Sequence, residues 1–442
     1  MAGSGAGQIA VDPGAPYGYS RSAELQQQFE QAAASLRASD GWSEGGSTQL
    51  VADLALEGGG VKGIGIVGAV SALAEAGYRF QRVAGTSAGA IAASLIAAIS
   101  KKGDPLTTLQ RYLDNLTFDA FMPKGKLHAF MDHHFGNAGE LLTSAEVLTH
   151  KMGVYDGAYL FTWLEPILRD LGVRTFADLK ITQDEDPGMS LPESRRYRLV
   201  VHTSDITRGQ LVRLPWDYDY YGQDRDAQSV VQAVRASMSI PFFFEPVTYT
   251  ALPAEVDLPH PGGGSLATHY EGGTVTWVDG GMLRNFPIDA FDREDGAPPR
   301  WPTIGIKLSA LRTDNPSTQA AASAFGEARG CLHTMMSEWD SYSIGAAAAG
   351  RTIFVDNAGI STTDFDLTAA QRNELFVNGV AAATSFVIEM GARGRVPRTD
   401  SEARQLVHER TAAGRALSPA GRRTAPRGRA RTTPPTPRTR PR

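Results

Sequence analysis

The sequence predicts an α/β fold with three layers, in which helices cover both faces of a mostly parallel central sheet. Short apolar runs typical of strands alternate along the chain with longer segments of helical periodicity. The first two strand-like runs, 52–57 and 80–84, each lead through a glycine-rich turn into a helix. Loops that follow parallel strands gather at one edge of the sheet, so we expect the functional residues at that edge.

The chain divides into three parts by composition. Residues 1–50 are expected to be an N-terminal extension, partly disordered, with a polar helix at 22–37. A folded domain is expected at 51–392, with its motifs within 51–308 and C-terminal helices within 318–391. Helices are predicted at 62–76, 87–100, 106–115, 143–151, 158–171, 318–348 and 367–391, and strands at 52–57, 80–84, 197–204, 210–214, 274–278 and 303–308. The Gly/Pro-rich segment 253–273 is predicted to be a surface loop.

The pentapeptide Gly-Thr-Ser-Ala-Gly at 85–89 lies between the strand-like 80–84 and the helix-like 88–99. A G-x-S-x-G sequence between a strand and a helix is typical of a nucleophile elbow. Its turn is so tight that a side chain at Gly85 or Gly89 would collide with the backbone. The turn would place the hydroxyl of Ser87 at a helix N-terminus, where negative charge is favoured. Alone, the motif fits a structural turn equally well.

A second glycine-rich motif, Glu-Gly-Gly-Gly-Val-Lys-Gly at 57–63, follows the strand-like 54–56 and precedes the helix-like 64–75. A serine hydrolase needs backbone N–H groups aimed at the oxyanion of its tetrahedral intermediate, and losing one donor costs roughly 3 kcal/mol of transition-state stabilisation. Lys62 would add positive charge beside these donors, and Gly63 would close the turn. The donors we expect are the N–H groups of Gly58, Gly59, Gly60 and Ala88.

The same glycines also match the dinucleotide-binding pattern G-x-G-x-x-G, in registers starting at Gly58 and at Gly63. That function requires an acidic residue at the end of the next strand to hold the ribose. Here the next strand leads into Ser87 instead, which favours the hydrolase interpretation over nucleotide binding.

A third motif, Asp279-Gly280-Gly281, follows the alternating strand-like segment 274–278. A carboxylate delivered by a strand into a turn of small residues can act as the base for Ser87 without an intervening imidazole. Asp-Gly is also an ordinary turn pair. Only together with the first two motifs does it indicate catalysis.

The three motifs in this order resemble those of the patatin-like phospholipases, lipid acyl hydrolases with a Ser–Asp dyad. The resemblance covers about residues 51–308 and includes Asn285 and Pro287 after the aspartate, and an A-S-x-x-x-P-x-x-F segment at 236–244. Glu57 departs from the family pattern, which has aspartate before the glycines; because it is not a dyad residue, we expect it to affect loop packing. The resemblance implies a patatin-like fold and a lipid substrate, most often the acyl ester of a glycerophospholipid.

Histidines offer no good third member for a triad. In α/β-hydrolases the histidine follows the acid in the chain, and only His333 and His408 follow Asp279. Both lie in segments without a catalytic pattern. His128, His133 and His134 are poorly spaced for one metal ion, so no metal site is predicted.

The chain has 442 residues, of which 42% are hydrophobic, and a formal net charge of −5. This composition is typical of a soluble enzyme. The single cysteine, Cys331, excludes an internal disulfide. The N-terminus lacks a secretory signal pattern, and the apolar run 88–99 is shorter than the roughly 18 residues of a membrane-spanning helix. We therefore expect a cytoplasmic protein or one peripheral to a membrane.

Residues 393–442 are predicted to be a disordered tail rich in arginine and proline. Its last 28 residues hold nine arginines and no acidic residue or lysine. Two interpretations remain: attraction to an anionic membrane surface, or a solvated extension without a role. No folded nucleic-acid-binding motif accompanies the charge, so a nucleic-acid partner is not expected.

The sequence thus predicts a serine esterase of phospholipase A or lysophospholipase type, in which Asp279 activates Ser87 and an acyl-enzyme forms. No cofactor is expected, and a protein activator is left open. The alternatives are an interaction protein that keeps a degenerate hydrolase fold, and nucleotide binding through the glycine-rich loop.

Overall fold

The fold is described by a computed structural model. It describes residues 9–12, 16–44, 47–116, 120, 153–186, 190–259, 264–293, 297–308, 334–335, 346–360, 362, 364 and 366–417. The predicted helices at 143–151 and over most of 318–348, together with Cys331, lie outside these residues.

Ten α-helices and fifteen strands are defined among the described residues. The helices are α1 (Ala23–Asp40), α2 (Ile64–Glu75), α3 (Ala88–Lys102), α4 (Leu109–Asp114), α5 (Ala158–Asp170), α6 (Val230–Ser237), α7 (Gly281–Arg284), α8 (Ala346–Ala349), α9 (Ala369–Arg393) and α10 (Asp400–Leu417). The strands are β1 (Ile9–Val11), β2 (Tyr19–Arg21), β3 (Trp42–Glu44), β4 (Ser47–Leu56), β5 (Tyr78–Thr86), β6 (Gly153–Tyr155), β7 (Leu199–Asp205), β8 (Gln210–Leu214), β9 (Phe242–Phe244), β10 (Val247–Ala251), β11 (Ala254–Pro259), β12 (Ser265–Tyr270), β13 (Gly273–Asp279), β14 (Thr303–Lys307) and β15 (Thr352–Phe354).

The central sheet has nine strands, seven of which follow the order β10-β13-β7-β5-β4-β14-β15. The five strands from β7 to β15 run parallel to one another. Strands β13 and β10 extend the sheet in antiparallel fashion beyond β7, while β3 and β8 pair with β4 and β7. The sheet is therefore mostly parallel and flanked by helices, as the sequence predicts.

Both faces of the sheet are buried, as expected where helices cover a parallel sheet. On β4, Leu54 and Leu56 belong to the main hydrophobic core, whereas the intervening Ala55 packs with Phe286 and Ile288 in a second cluster. Because successive side chains of a strand point to opposite faces, this alternation identifies the two sides. The continuous apolar run that identified the strand thus reflects burial on both faces.

Helix α9 is the one described helix long and apolar enough, by composition, to cross a membrane, but 61% of its apolar window is buried inside the structure. It packs against α2 and α1. Two close approaches fix it there: a Cβ on Gly379 would lie 2.0 Å from the Gly65 carbonyl oxygen, and one on Gly391 would lie 2.5 Å from the Ala32 Cβ. We assign α9 to the protein core.

Two boundaries of the predicted folded domain are wrong. Helix α1, placed by the sequence analysis in the N-terminal extension, contributes Phe29 and Leu36 to the main core. At the other end, α10 occupies 400–417, where a disordered tail was predicted, and buries Ala403 and Leu406. Those apolar residues are spaced for one helical face, and the charge of the segment concealed that pattern. Residues 418–442 lie outside the described part.

The segment 253–273 is also not a plain surface loop. Its ends pair as the antiparallel strands β11 and β12. The alternation of apolar and polar residues at 254–258 is typical of a strand, whereas the surrounding glycines and prolines favour a loop.

Candidate active site

Ser87 forms a nucleophile elbow between β5 and α3. Its φ is +53° and its ψ is −123°, a conformation rare for a residue with a side chain. Such a residue costs roughly 1–3 kcal/mol and persists where the surroundings fix it. Here the Ser87 N–H donates to Ser237 Oγ at 2.8 Å. The hydroxyl therefore lies at the N-terminus of α3 in an imposed geometry.

Gly85 and Gly89 are required by close backbone contacts. A Cβ on Gly85 would lie 2.3 Å from the carbonyl oxygen of Gly89. A Cβ on Gly89 would lie 2.5 Å from the carbonyl oxygen of Leu56, at the end of the neighbouring strand. Both distances are shorter than real Cβ contacts, so the tight turn predicted from the motif is present and requires both glycines.

Asp279 reaches the elbow through the order of the strands. Thr86 pairs with His202 on β7, and the next residue of β7, Thr203, pairs with Asp279 at the end of β13. Because β13 runs antiparallel to β7, it delivers its last residue to the level at which β5 ends. A Cβ on Gly280 would lie 2.3 Å from the His202 carbonyl oxygen, so the turn after Asp279 also needs glycine.

The carboxyl group of Asp279 is fully buried. Its Oδ1 accepts the Gly281 N–H at 2.7 Å. Burial raises the pKa of Asp279 from 3.8 to about 7, and the interactions with the Ser87 hydroxyl and the Gly281 N–H partly oppose that rise. Oδ2 makes no hydrogen bond to a described residue. A pKa near neutrality suits a general base.

The glycine-rich loop lies directly beside Ser87. A Cβ on Gly58 would lie 3.0 Å from the Ser87 Cβ. The Gly58 N–H, however, donates to the Asn285 carbonyl at 3.0 Å, so it is not available to an oxyanion and the expectation for it is wrong. The N–H groups of Gly59, Gly60 and Ala88 make no hydrogen bond to another described residue. These three remain the candidate oxyanion donors.

Asn285 fixes the loop from the other side. Besides accepting the Gly58 N–H, it donates from its side-chain Nδ2 to the Gly58 carbonyl at 3.1 Å. A Cβ on Gly58 would lie 2.3 Å from Asn285 Oδ1. The sequence analysis noted Asn285 only as part of a family pattern; the contact explains why residue 58 is glycine.

Glu57 holds the loop in place, and Lys62 lies close to it. Glu57 forms a buried ion pair with Lys307 and accepts the Leu308 N–H, which ties the loop to the end of β14. This agrees with a role of Glu57 in loop packing. Lys62 is half-buried near this pair, and burial lowers its pKa, with Glu57 opposing and Lys307 adding to the effect. Lys62 does not line the cleft at Ser87.

A cleft of about 80 Å³, partly open to solvent, lies at Ser87. Its lining is almost wholly apolar. Ile240, Phe244 and the α3 residues Ala88, Ile91, Ala92 and Leu95 line it, whereas Phe242 and Phe243 do not. Leu109, Tyr112, Leu116 and Trp163 also line the cleft, from α4, from the residues that follow it and from α5, and no sequence motif indicated them. Gly60 and Gly63 also line it.

Described histidines do not complete a triad. His202 is 2% exposed and does not line the cleft, and burial together with the charges of Arg213 and Arg284 lowers its pKa to about 3. His408 is exposed on α10. His333 and the cluster of His128, His133 and His134 lie outside the described residues. Among the described residues, no group of three potential ligands could hold a metal ion.

Sequence comparisons agree with the motifs. The family model for patatin-like phospholipase matches residues 54–292, which contain the glycine-rich loop, the elbow and the aspartate turn. The chain is also 31% identical over 335 residues to the Bacillus subtilis (strain 168) protein YqhO, whose name calls it uncharacterized. That alignment covers 76% of this chain and 97% of YqhO.

Similar solved structures include two bacterial proteins. VipD from Legionella pneumophila matches with a TM-score of 0.37 and 17% identity, covering 78% of this chain and 69% of VipD. The type III effector ExoU matches with a TM-score of 0.36 and 16% identity, covering 84% of this chain and 61% of ExoU. ExoU also matches in its complex with SpcU from Pseudomonas aeruginosa, at a TM-score of 0.32. These scores carry no information about activity.

Proposed function

The chain belongs to the patatin-like phospholipase family, and we propose from this that it hydrolyses lipid acyl esters with Ser87 as nucleophile and Asp279 as base. The observation that carries the proposal is the position of both residues. A strained, buried serine that lines an apolar cleft interacts with a carboxyl group whose pKa is near 7.

The proposed reaction proceeds in two steps. Asp279 accepts the proton of the Ser87 hydroxyl while Oγ attacks the ester carbonyl, and the N–H groups of Gly59, Gly60 and Ala88 stabilise the oxyanion. Asp279 then gives the proton to the leaving alcohol, which departs and leaves an acyl-enzyme. A water molecule attacks this ester with Asp279 again as base, releasing the fatty acid and restoring Ser87.

The cleft supports an acyl chain as the group that is transferred. Its walls offer apolar side chains from α2, α3, α4 and α5, and burying apolar surface is favourable by about 25 cal/mol per Å². A phospholipase A or lysophospholipase activity fits this arrangement, because the acyl chain enters the cleft and the polar part of the lipid stays outside. A lipid is therefore the proposed substrate.

Kinetics of single and double variants test the proposal. Ser87→Ala and Asp279→Asn are each expected to lower kcat on a nitrophenyl ester by more than about 10³-fold, and the double variant should be little worse, because residues that act as one unit are not additive. Ser94→Ala is a matched control, since Ser94 is buried on α3 and donates only to the Ile91 carbonyl. An inactive wild-type protein would favour the interaction-protein alternative, and substantial activity in Ser87→Ala would refute the nucleophile.

The extent of the catalytic unit and its surroundings are also proposals. Because α1 and α10 pack on the fold, we propose a unit that includes both, in place of the 51–392 expected from sequence. For the arginine-rich residues beyond α10 we retain peripheral contact with anionic lipid as the hypothesis to test.

A further inference from the structure

The short segment that ends α6 touches the backbone of both proposed dyad residues. Ser237, the last residue of α6, accepts the Ser87 N–H at 2.8 Å and donates its hydroxyl proton to the His202 carbonyl at 2.6 Å. Ser237 is fully buried. Its one hydroxyl therefore connects the strained elbow to β7, the strand that lies between β5 and β13.

Ser239 binds the backbone of the other proposed dyad residue, Asp279. Its carbonyl accepts the Asp279 N–H at 2.8 Å, and its hydroxyl donates to the Arg235 carbonyl and accepts from the Arg235 guanidinium. Arg235 in turn donates to the carbonyls of Asp156 at 2.9 Å and Glu245 at 2.7 Å. Through these bonds the backbone at Asp279 is connected to the residues that precede α5 and follow β9.

Residues of this segment alternate between two roles. Met238 and Ile240 line the apolar cleft, whereas Ser237 and Ser239 bind the backbone at Ser87 and Asp279. A shift of the segment would therefore move the acyl-binding wall and both dyad residues together.

We propose that Ser237 is a positioning residue that sets the orientation of Ser87 toward Asp279, with Ser239 and Arg235 fixing the Asp279 side; this inference rests on the proposed function. Ser237 does not touch the reacting atoms, because its hydroxyl is engaged with the Ser87 N–H and the His202 carbonyl. Without that hydroxyl the Ser87 N–H stays buried and unpaired, and the positive φ of Ser87 loses the bond that fixes it.

Ser237→Ala tests the proposal. Ser94→Ala is the matched control, because it removes a buried hydroxyl that touches neither dyad residue. Misplacing a reacting group by about 1 Å costs on the order of 10²-fold in rate, so we expect kcat to fall about 10- to 100-fold in Ser237→Ala. KM should stay within about twofold, because the cleft lining is unchanged and only the transition-state geometry suffers. Ser237→Cys, whose thiol is a weaker acceptor, should lie between alanine and wild type.

Labelling by a fluorophosphonate separates this inference from the proposed function. Wild-type protein that is not labelled at Ser87 would refute the function itself. If the wild type is labelled but Ser237→Ala, folded by circular dichroism, keeps the kcat and labelling rate of Ser94→Ala, the function stands and the positioning role is refuted. A rise in KM with unchanged kcat in Ser237→Ala would equally overturn it.

Discussion

Replacing Asp279 with asparagine should make the protein more stable at neutral pH while abolishing its activity. The carboxyl group of Asp279 is fully buried, and its pKa is about 7 in the fold against an ordinary value of 3.8. Above pH 7 the folded protein must hold a charged group that the unfolded chain holds more easily. This difference corresponds to about 4 kcal/mol against folding, which the neutral asparagine avoids.

The pH dependence follows from the direction of the shift. Below the unfolded value of 3.8 the group is protonated in both states and contributes nothing, and the destabilisation grows as pH rises until it is complete above about 7. We expect Asp279→Asn to exceed the wild type in free energy of unfolding by at least about 2 kcal/mol at pH 8, allowing for imperfect hydrogen bonding of the amide. The gain should shrink steadily toward pH 4.

Urea denaturation of both proteins at several pH values, followed by circular dichroism, measures the difference. Asp205→Asn is the matched control, because the buried Asp205 accepts from the Thr207 and Arg208 N–H groups and the Tyr221 hydroxyl. Asparagine has only one acceptor oxygen, so Asp205→Asn loses at least one of these hydrogen bonds and should cost about 1–2 kcal/mol of stability at pH 8. A pH-independent difference for Asp279→Asn, or a loss of stability at pH 8, would refute the argument that burial raises the pKa of Asp279.

Three further predictions concern the elbow, the cleft and the C-terminal tail. Gly89→Ala should lower the free energy of unfolding by about 2 kcal/mol or more, because its Cβ would lie 2.5 Å from the Leu56 carbonyl oxygen. The control Gly172→Ala, whose Cβ would meet open space, should lower it by about 1 kcal/mol. Equal losses of stability in thermal or urea unfolding would contradict this. Ala92→Trp, which fills the cleft, should leave the rate of nitrophenyl acetate hydrolysis within about threefold of wild type but reduce the rate for a long-chain nitrophenyl ester by at least about tenfold. Parallel losses of rate on both esters would argue against an acyl site in the cleft. Deleting residues 418–442 should leave turnover of a soluble ester unchanged. The deletion should lower co-sedimentation with anionic vesicles, and more so at low salt than at high salt. Equal vesicle binding by the full-length and shortened proteins would make the tail a passive extension.

Much of the site is predictable because its chemistry requires unusual residues close together in sequence. The tight elbow requires glycine at 85 and 89 around Ser87, and those glycines are visible without any structure. The pairing of Ser87 with Asp279 is different, since they lie 192 positions apart in the chain and only the order of the motifs connects them. Their proximity depends on β13 joining the sheet antiparallel to β7, which the strand pattern alone does not specify.

Details that depend on tertiary hydrogen bonds were not predictable. Gly58 looked like an oxyanion donor because it opens the glycine run, but Asn285, more than two hundred residues away, accepts its N–H. Ser237 carries no signal of its contact with Ser87, because an isolated serine at a helix end fits many roles. The fold boundaries at α1 and α10 failed for a related reason: their few apolar residues become informative only when the surface they cover is known.

Fluorophosphonate labelling followed by peptide mass spectrometry tests the central claim most directly. The account predicts one label per chain on Ser87, absent from Ser87→Ala and strongly slowed in Asp279→Asn, while Ser94→Ala is labelled like the wild type. The claim also predicts that the labelling rate rises as pH increases through about 7, because Asp279 must lose its proton to act as base. Labelling at another residue, or undiminished labelling of Asp279→Asn, would contradict the Ser87–Asp279 dyad.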